Sequence, residues 1–416
     1  MLSISKKKQM ILCLTLLLIL LTDGFSRALR TGANDFNVFY YAWHLVWEGR
    51  GAEIYQSSPD RFLYSPGFAW MLAPLGGLSY RTALLSWCFL KVAALCLVVK
   101  LILDRIDPRL SVRNGGFIAS LKSASVLAAL CGVLYIARPL LIDFQYGQVN
   151  VFIMAICAWA AFTHLDIEAR RGYIVLSWFF AGMIGFAKIF PLPILLLPWW
   201  APHKNSKKKL ALERKAVIAS GVFTVMAPAL TLGWVGAWRL LVGWKDALVD
   251  RGLPLDSHNQ SFFALLFHYL SGTSTPVIAE GRRLLFFGVA WLSKEQIVFL
   301  GLFWSLVSFG FVLAWIARGP KSDGVKWVAI LVGSLIIPSH LVWKPYFVMS
   351  LPMAIVVFSK AYVTKKKSLL LFLVLLAVGV NLTGFDVIGH RWGAYLEAGS
   401  SLLICHLVLM GLLVWA

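Results

Sequence analysis

The chain contains 416 residues, of which 59% are hydrophobic and 14% are charged. This composition excludes a water-soluble globule, because a fold of this size cannot bury so much apolar surface and needs lipid as its solvent. The formal net charge is +20, and the positions of the basic residues decide whether it indicates nucleic-acid binding or membrane orientation.

Apolar runs separated by short charged loops follow one another along the whole chain. They predict an all-α polytopic membrane protein that forms one domain over residues 1–416. The first run follows the basic segment Lys6–Lys8 and lacks a small-residue cleavage site, so we expect an uncleaved anchor. The long predicted spans cover residues 9–25, 79–103, 117–138, 149–165, 215–235, 297–317, 327–340, 346–362, 369–385 and 399–416.

Residues 172–200 form an apolar run with basic segments on both sides. The positive-inside rule requires both flanks to be cytoplasmic, which a single span cannot satisfy. The run contains Lys188, Pro191 and Pro193, which predict a break in the helix. The rule is then satisfied by two short arms, 172–187 and 191–200. The prediction is therefore about 12 membrane segments, including this broken pair of short helices, with the N and C termini in the cytoplasm.

The distribution of charge agrees with this topology. Cytoplasmic loops and ends carry 23 Lys and Arg against 6 Asp and Glu, external loops carry 14 against 13, and Lys91 and Lys188 lie inside apolar runs. The basic excess therefore indicates orientation in the plasma (inner) membrane and contact with anionic lipid headgroups, not a nucleic-acid partner. All six cysteines fall in apolar runs, which argues against a disulfide framework.

Two external segments, residues 26–78 and 236–296, are too long to serve only as connectors, and loops of that size usually carry function. In the first, rings recur at helical spacing and predict an amphipathic helix at the outer membrane interface that ends at Gly49. Asp35 begins this helix, either as an N-cap or as an acid that takes a proton from a hydroxyl group. The rings are Phe36, Phe39, Tyr40, Trp43 and Trp47.

Six short motifs follow one another from the first external loop to the late apolar runs. They are Asp35 and Phe36 with Tyr40 and Tyr41; Tyr64 with Pro66; Gly147, Gln148 and Asn150; Lys188 with Pro191; Asn259, Gln260 and Ser261; and Trp343 with Tyr346. In this order, and within this hydropathy profile, the chain resembles glycosyltransferase family 87, which consists of multi-pass membrane enzymes of the C-type fold.

The resemblance implies an enzyme that takes a hexose, often mannose, from a polyprenyl-phosphate donor. The acceptor would be a lipid or a glycan, and the active site would face the external or periplasmic side. Asp35 would be the general base of an inverting displacement. The candidates to meet the growing charge of the lipid phosphate are Lys188, Lys344, Arg138 and His340.

Two of these cations have alternative interpretations, and the chain departs from the family pattern at a third. Lys188 could snorkel toward a headgroup, although a lysine inside an apolar run and beside a break favours a cavity-facing role. Arg138 ends a span, as interface anchors do. The family pattern has an acidic residue and a histidine after the late tryptophan, where this chain has Lys344 and Pro345, so nearby His340 could take the role of that histidine.

Polar and aromatic side chains at the external span ends are candidates to bind substrate. Amide groups suit sugar hydroxyls, and rings suit sugar faces or an isoprenoid tail, although helix capping and the aromatic belt explain the same residues without a ligand. The set is Tyr64, Gln148, Asn150, His258, Asn259, Gln260, Trp343 and Tyr346. No residue cluster has the spacing of a metal site, and no cofactor is predicted.

Two other functions remain open at the level of sequence. A transporter or flippase of lipid-linked glycans would explain the broken segment at Lys188 to Pro191, because secondary transporters use discontinuous helices. A non-catalytic scaffold of an envelope complex would leave Asp35 and Lys188 far apart and facing lipid. The oligomeric state is not determined by the sequence.

Overall fold

A computed structural model describes residues 6–56, 62–107, 124–200, 206–252, 258–271, 278–279, 282–283, 291–320 and 323–415. Helices dominate this part of the chain, and the only strands within it are β1 (Ile278–Ala279) and β2 (Arg282–Arg283), which pair antiparallel. The start of the predicted span 117–138 and parts of both long external segments lie outside the described residues.

The helices follow the predicted apolar runs. The first eight are α1 (Lys6–Thr31), α2 (Asn34–Trp47), α3 (Pro66–Gly76), α4 (Tyr80–Ile106), α5 (Ala124–Tyr135), α6 (Ala137–Tyr146), α7 (Asn150–Leu165) and α8 (Arg171–Ala187). The others are α9 (Leu197–Trp200), α10 (Lys207–Asp250), α11 (Phe262–Leu270), α12 (Lys294–Arg318), α13 (Gly324–Ser334), α14 (Leu351–Val363), α15 (Lys367–Asn381), α16 (Phe385–Ala398) and α17 (Ser401–Trp415). Short 3₁₀ turns cover Gly51–Glu53, Leu192–Leu196 and Lys344–Ser350.

Five helical stretches of the described chain are long and apolar enough to cross a membrane: Ile11–Thr31, α4, α10, α12 and Lys344–Val363. Two bent pairs, α5 with α6 at 61° and α15 with α16 at 91°, raise the number to seven if each is one span. Four shorter apolar helices, α7, α8, α13 and α17, complete the set. An all-helical, multi-pass membrane protein is confirmed, whereas the count of about 12 segments and the cytoplasmic termini stay predictions.

Burial separates central from peripheral helices. In the apolar stretch of Lys344–Val363, 72% of the residues are buried, against 11% in that of α1. α12 exposes large apolar side chains such as Phe299 and Leu306. Because lipid solvates such side chains without penalty, α1 and α12 have the surfaces expected of the outer helices of a bundle.

The break predicted at Lys188 is present. α8 ends at Ala187, Lys188 has an extended backbone, and a turn leads into the 3₁₀ segment Leu192–Leu196 and the short α9. Pro191 and Pro193 cannot donate the backbone bonds that a continuing helix needs. The two-armed interpretation of residues 172–200 therefore matches the local structure.

α10 is longer than its apolar run indicated. Ser206 caps its N-terminus, and the helix continues from Lys207 to Asp250, with a kink at Gly233 where φ is 70°. Because the backbone of Gly233 is not helical (φ 70°, ψ 171°), the 44 residues of α10 form two helical segments that meet at this kink. The predicted loop 236–296 therefore starts as helix, because helix periodicity persists beyond the residues that are apolar enough to span lipid.

The helix after the first span has the predicted residues but a different environment. Phe36, Phe39 and Trp43 are buried inside the protein, where Trp87 of α4 packs against all three rings. The prediction that these rings lie at the lipid interface is thus wrong for the inward face of α2. Only Trp47, which is 59% exposed, has the surface position expected of an interfacial ring.

α2 and α3 pack at very short range because α3 ends in glycine. A β-carbon placed on Gly76 would lie 2.4 Å from the carbonyl carbon of Trp43. Since non-bonded carbon atoms separate by about 3.5–4.0 Å, only glycine permits this approach. The N-cap of α2 is Ala33, and no side chain caps this end, so the N-cap interpretation of Asp35 is not what the structure shows.

Candidate active site

A cavity of about 1270 Å³ opens at one end of the bundle. Its walls come from the end of α1, the start of α2, the end of α6, the break after α8, the end of α10, residues 339–346 and α16. The predicted topology places all these helix ends on the external side. At the opposite end of α7, Lys209 binds the carbonyl oxygens of Thr163, His164 and Asp166, where the topology expects cytoplasmic basic residues.

Asp35 lies in the first turn of α2 and faces the cavity. The Gln148 amide nitrogen donates a hydrogen bond of 2.5 Å to its Oδ2 atom. Burial raises the pKa of the Asp35 carboxyl above its ordinary value, while nearby Lys188 and the Gln148 bond act against this rise. A helix N-terminus favours the charged form of a carboxylate. Asp35 is thus a partly buried acid whose pKa is shifted toward the range useful to a general base.

Gln148 reaches Asp35 because of a glycine. Gly147 ends α6 with φ at 67°, a left-handed conformation that glycine adopts without strain. A β-carbon there would also lie 2.4 Å from the β-carbon of Phe36. The Gly-Gln pair of the motif therefore brings the backbone of α6 against the start of α2 and directs Gln148 to the acid.

Lys188 lies at the break after α8 and lines the same cavity. Its ammonium donates to Gln148 Oε1 at 3.2 Å and to Asn150 Oδ1 at 3.0 Å. It also lies 4.3 Å from the ring centroid of Tyr346 and 5.7 Å from that of Tyr64. Within the described residues it forms no ion pair shorter than 4 Å. Lys188 thus points into the cavity, as the cavity-facing interpretation expects.

Arg138 and Lys344 also line the cavity, but each is paired with a carboxylate of α16. Arg138 bonds Asp386 at 2.6 Å, and Arg27 of α1 bonds the same carboxylate at 2.9 Å. Lys344 pairs with Glu397 and donates to the Thr383 carbonyl oxygen at 2.7 Å. Their positive charges are therefore partly neutralised by direct ion pairs with α16, which Lys188 does not form within the described residues.

Lys344 stands where the family pattern has an acidic residue followed by a histidine. In the structure, the acidic group beside it is Glu397, which also contacts His258 Nδ1 at 2.8 Å. An acid and an imidazole are thus present near position 344, although both come from distant parts of the chain.

Trp343 and His340 form the wall between Lys344 and the end of α10. The guanidinium carbon of Arg251 lies 5.2 Å from the Trp343 ring centroid, a distance typical of a cation–π contact. Burial, and then the charge of Arg251, lower the pKa of His340. His340 is therefore uncharged near neutral pH, which makes Arg251, and not His340, the permanent cation of this wall.

Tyr64 and Tyr346 line the cavity with their rings largely buried. Both rings lie within 6 Å of the Lys188 ammonium, and Tyr346 also stacks on Phe190 at 5.1 Å between ring centroids. Burial raises the pKa of Tyr64 well above its ordinary value, so its hydroxyl stays protonated. These rings give the cavity an apolar wall beside its charged groups.

Three of the predicted substrate-binding amides are fully buried and do not line the cavity: Asn150, Asn259 and Gln260. The Asn259 side chain accepts from the backbone nitrogens of Ser261 and Val342 and donates to the His340 carbonyl oxygen. The Gln260 amide donates to the Glu397 carbonyl oxygen at 2.7 Å. Asn259 and Gln260 thus support the cavity wall through bonds to backbone groups, whereas the Asn150 side chain bonds the side chains of Asp143 and Lys188.

Several charged residues in the cavity wall or directly behind it were not selected from the sequence: Arg27, Asp143, Arg251, Asp386 and Glu397. Asp143 falls between the predicted spans 117–138 and 149–165, so the sequence pattern did not mark it as a charge inside the membrane. Arg27, Asp386 and Glu397 flank spans, and Arg251 lies in the long loop 236–296. Charged residues are common in both places, and nothing in the pattern distinguishes these four. Within the described residues, no group of three or more His, Cys, Asp or Glu side chains could hold a metal ion.

The fold and the cavity together define a class: multi-pass helical membrane proteins with a polar, aromatic-lined site at one end of the bundle. The comparison with protein families identifies it more closely. The model of glycosyltransferase family 87 matches residues 62–345, which is more than half of the chain, and the protein belongs to this family. This confirms the resemblance seen in the motifs. A comparison with curated proteins finds no match.

Membership in the family shows a membrane glycosyltransferase, which acts on a sugar donor and an acceptor. The match covers Lys188, Gln148 and the residues up to Pro345. Asp35 precedes it, and α16 follows it. Both ends of the chain thus add charged groups to a cavity whose centre lies in the matched region.

Proposed function

We propose that this protein transfers a hexose, with mannose as the leading candidate, from a polyprenyl-phosphate donor to a lipid or glycan acceptor. The reaction would take place at the outer face of the plasma membrane, with inversion at the anomeric carbon. The observation that carries the proposal is that an acid, Asp35, and a lysine, Lys188, line one cavity and share Gln148 as a hydrogen-bonding partner.

Asp35 has the geometry required of a base. Its Oδ2 atom accepts the Gln148 bond, and within the described residues no hydrogen bond is made to Oδ1. Oδ1 can therefore accept the proton of an acceptor hydroxyl. As that proton moves to Asp35, the hydroxyl oxygen bonds the anomeric carbon and the bond from this carbon to the phosphate oxygen breaks.

The leaving group of this step is the lipid phosphate, whose negative charge grows as the bond breaks. A cation aimed at that oxygen stabilises the transition state more than the ground state. Lys188 is suited to this role because its direct contacts are amide oxygens and rings, and within the described residues no carboxylate forms a direct ion pair with it. Arg251 is the second candidate.

The size of the cavity supports a reaction between two large substrates. Sites for a single small molecule usually measure about 300–1000 Å³, and this cavity has about 1270 Å³. A sugar phosphate and part of an acceptor could occupy it together. The rings of Tyr64, Trp343 and Tyr346 offer apolar faces for a pyranose or for the first isoprene units.

A transporter or flippase of lipid-linked glycans is the second candidate, because the break at Lys188 gives a discontinuous membrane segment. Transport needs no base, however, and membership in a glycosyltransferase family favours transfer. The scaffold hypothesis required Asp35 and Lys188 to be distant and to face lipid, and their common cavity removes that support.

The donor class is tested with the wild-type protein in lipid nanodiscs. Polyprenyl-phosphate mannose, polyprenyl-phosphate glucose and GDP-mannose are each supplied with a membrane lipid extract. Mass spectrometry then measures free polyprenyl phosphate and new glycolipid. We expect turnover with a polyprenyl-phosphate sugar and none with GDP-mannose. Turnover with the nucleotide sugar alone would refute the proposed donor, and movement of intact donor across liposomes without cleavage would favour the flippase.

A further inference from the structure

An ion pair is buried behind the wall of the cavity. Lys91 of α4 and Asp143 of α6 are both 0% exposed, and their charged atoms lie 2.6 Å apart. The Lys91 ammonium also donates to the Asp143 carbonyl oxygen at 2.6 Å. Neither residue lines the cavity. Because removing two charges from water is costly, such a pair is weak evidence for stability and raises the question of what else it does.

The pair begins a continuous line of hydrogen-bonded side chains that ends at the candidate base. The Asn150 amide nitrogen donates to Asp143 Oδ2 at 3.1 Å, and Asn150 Oδ1 accepts from Lys188 at 3.0 Å. Lys188 donates to Gln148 Oε1, and the Gln148 amide nitrogen donates to Asp35. The line therefore runs from a buried aspartate through Asn150, Lys188 and Gln148 to Asp35.

The charges in this line determine the orientation of both amides. An ionised carboxylate only accepts hydrogen bonds, an ammonium only donates them, and an amide does each through a different atom. With Asp143 ionised, Asn150 must direct its nitrogen inward and its oxygen to Lys188. With Asp35 ionised, Gln148 must direct its nitrogen to that acid and its oxygen to Lys188. Two amide oxygens thus hold the lysine in one position.

We propose that Lys91 and Asp143 are positioning residues that set the location of Lys188 for transfer. This inference rests on the proposed function of Lys188 at the donor phosphate. Asp143 orients Asn150, and Lys91 supplies the positive charge that satisfies Asp143. Without Lys91, the buried Asp143 carboxylate would attract Lys188, the next cation along the line, and draw it away from the donor.

The test separates a positioning role from a structural one through a double-mutant cycle. The variant Lys91→Met/Asp143→Leu removes both charges together, which avoids leaving one charge buried alone. It is combined with Lys188→Met, and all proteins are studied in lipid nanodiscs. Two quantities are measured: the rate of sugar transfer and the Kd for polyprenyl monophosphate. Thermal unfolding reports whether each variant is folded.

We expect the charge-free pair to lower the rate of transfer and to weaken polyprenyl monophosphate binding by roughly 10- to 100-fold, the scale on which outer partners of a site act. In the Lys188→Met background, the same change should have little further effect, because residues that act through one another are not additive. Full additivity, or an unchanged rate and Kd in the charge-free pair, would overturn the proposal.

Glu213 provides a matched control. It is fully buried and bonds His164 at 2.9 Å at the other end of the bundle. Glu213→Gln should lower the unfolding temperature without changing the Kd for polyprenyl monophosphate.

If the charge-free pair does not fold, Lys91→Met/Asp143→Asn takes its place in the same cycle. If the wild type does not bind polyprenyl monophosphate, the proposed donor class is refuted, and with it this role of Lys188. If the wild type binds it but the two changes are additive, only the positioning role of Lys91 and Asp143 is refuted.

Discussion

Replacement of Asp35 by asparagine tests the central chemical assignment with the smallest change in shape. Asparagine keeps the size of the side chain, and its oxygen can still accept the 2.5 Å bond that Gln148 donates. What is lost is the ability to take a proton. General-base assistance contributes on the order of 10²- to 10⁴-fold, which corresponds to about 3–5 kcal/mol of activation free energy.

The structure predicts that this loss appears in the rate of transfer and not in folding. Asp35 caps no helix and makes no ion pair within the described residues, so its charge contributes little to the helix that carries it. The assay compares wild-type and Asp35→Asn proteins in nanodiscs by the release of polyprenyl phosphate, with unfolding temperatures measured in parallel. We expect a loss of at least roughly 100-fold at a nearly unchanged unfolding temperature.

Glu48→Gln is the matched control, because Glu48 is an acid at the other end of the same helix and its side chain is 42% exposed. This variant should transfer sugar at close to the wild-type rate. If Asp35→Asn keeps more than a tenth of the wild-type rate, or if both variants lose activity equally, Asp35 is not the base. The family assignment would stand, and the base would have to be sought among the other cavity residues.

Three further expectations follow from the same geometry. The transfer rate should fall as the pH drops through the pKa of Asp35, because only the deprotonated acid accepts a proton. Burial raises this pKa, so the fall should occur above the ordinary aspartate pKa of about 3.9. A full transfer rate at that pH would contradict the prediction. Lys188→Met should lower transfer by roughly 10²- to 10³-fold, as loss of one transition-state donor does, and an unchanged single-turnover rate would exclude a role at the leaving group. Gly76→Ala should destabilise the protein by about 1–3 kcal/mol, because its β-carbon would lie 2.4 Å from the backbone of Trp43. Gly310→Ala, where no atom lies within 4 Å of the added carbon, is the control in the same chemical-denaturation experiment.

Local features of the chain were predictable because their causes are local. The break at Lys188 follows from two nearby prolines, and the bounds of α4, α7 and α12 follow their apolar runs to within about three residues. Gly147 and Gln148 were recognisable as a motif before their contact with α2 was known. In each case, the residues that determine the feature are close together in the sequence.

Features that depend on distant partners were not predictable in this way. The amphipathic pattern of α2 marks an apolar face but does not distinguish lipid from Trp87 as its neighbour. Asn259 has the same chemical groups whether it binds a sugar or backbone atoms, and only the position of residues 340–342 decides between them. The pairing of Lys344 with Glu397 joins residues from different helices, and no spacing rule indicates it.

The position of α16 has a consequence for protein engineering. Its carboxylates at Asp386 and Glu397 neutralise Arg138 and Lys344, yet the helix lies beyond the region matched to the family, which ends at residue 345. A chimera that transplants only the matched region would leave these two cations partly buried without their acids, which is destabilising. Domain exchange between relatives should therefore include α16 together with the cavity, so that Arg138 and Lys344 keep the carboxylates with which they form ion pairs.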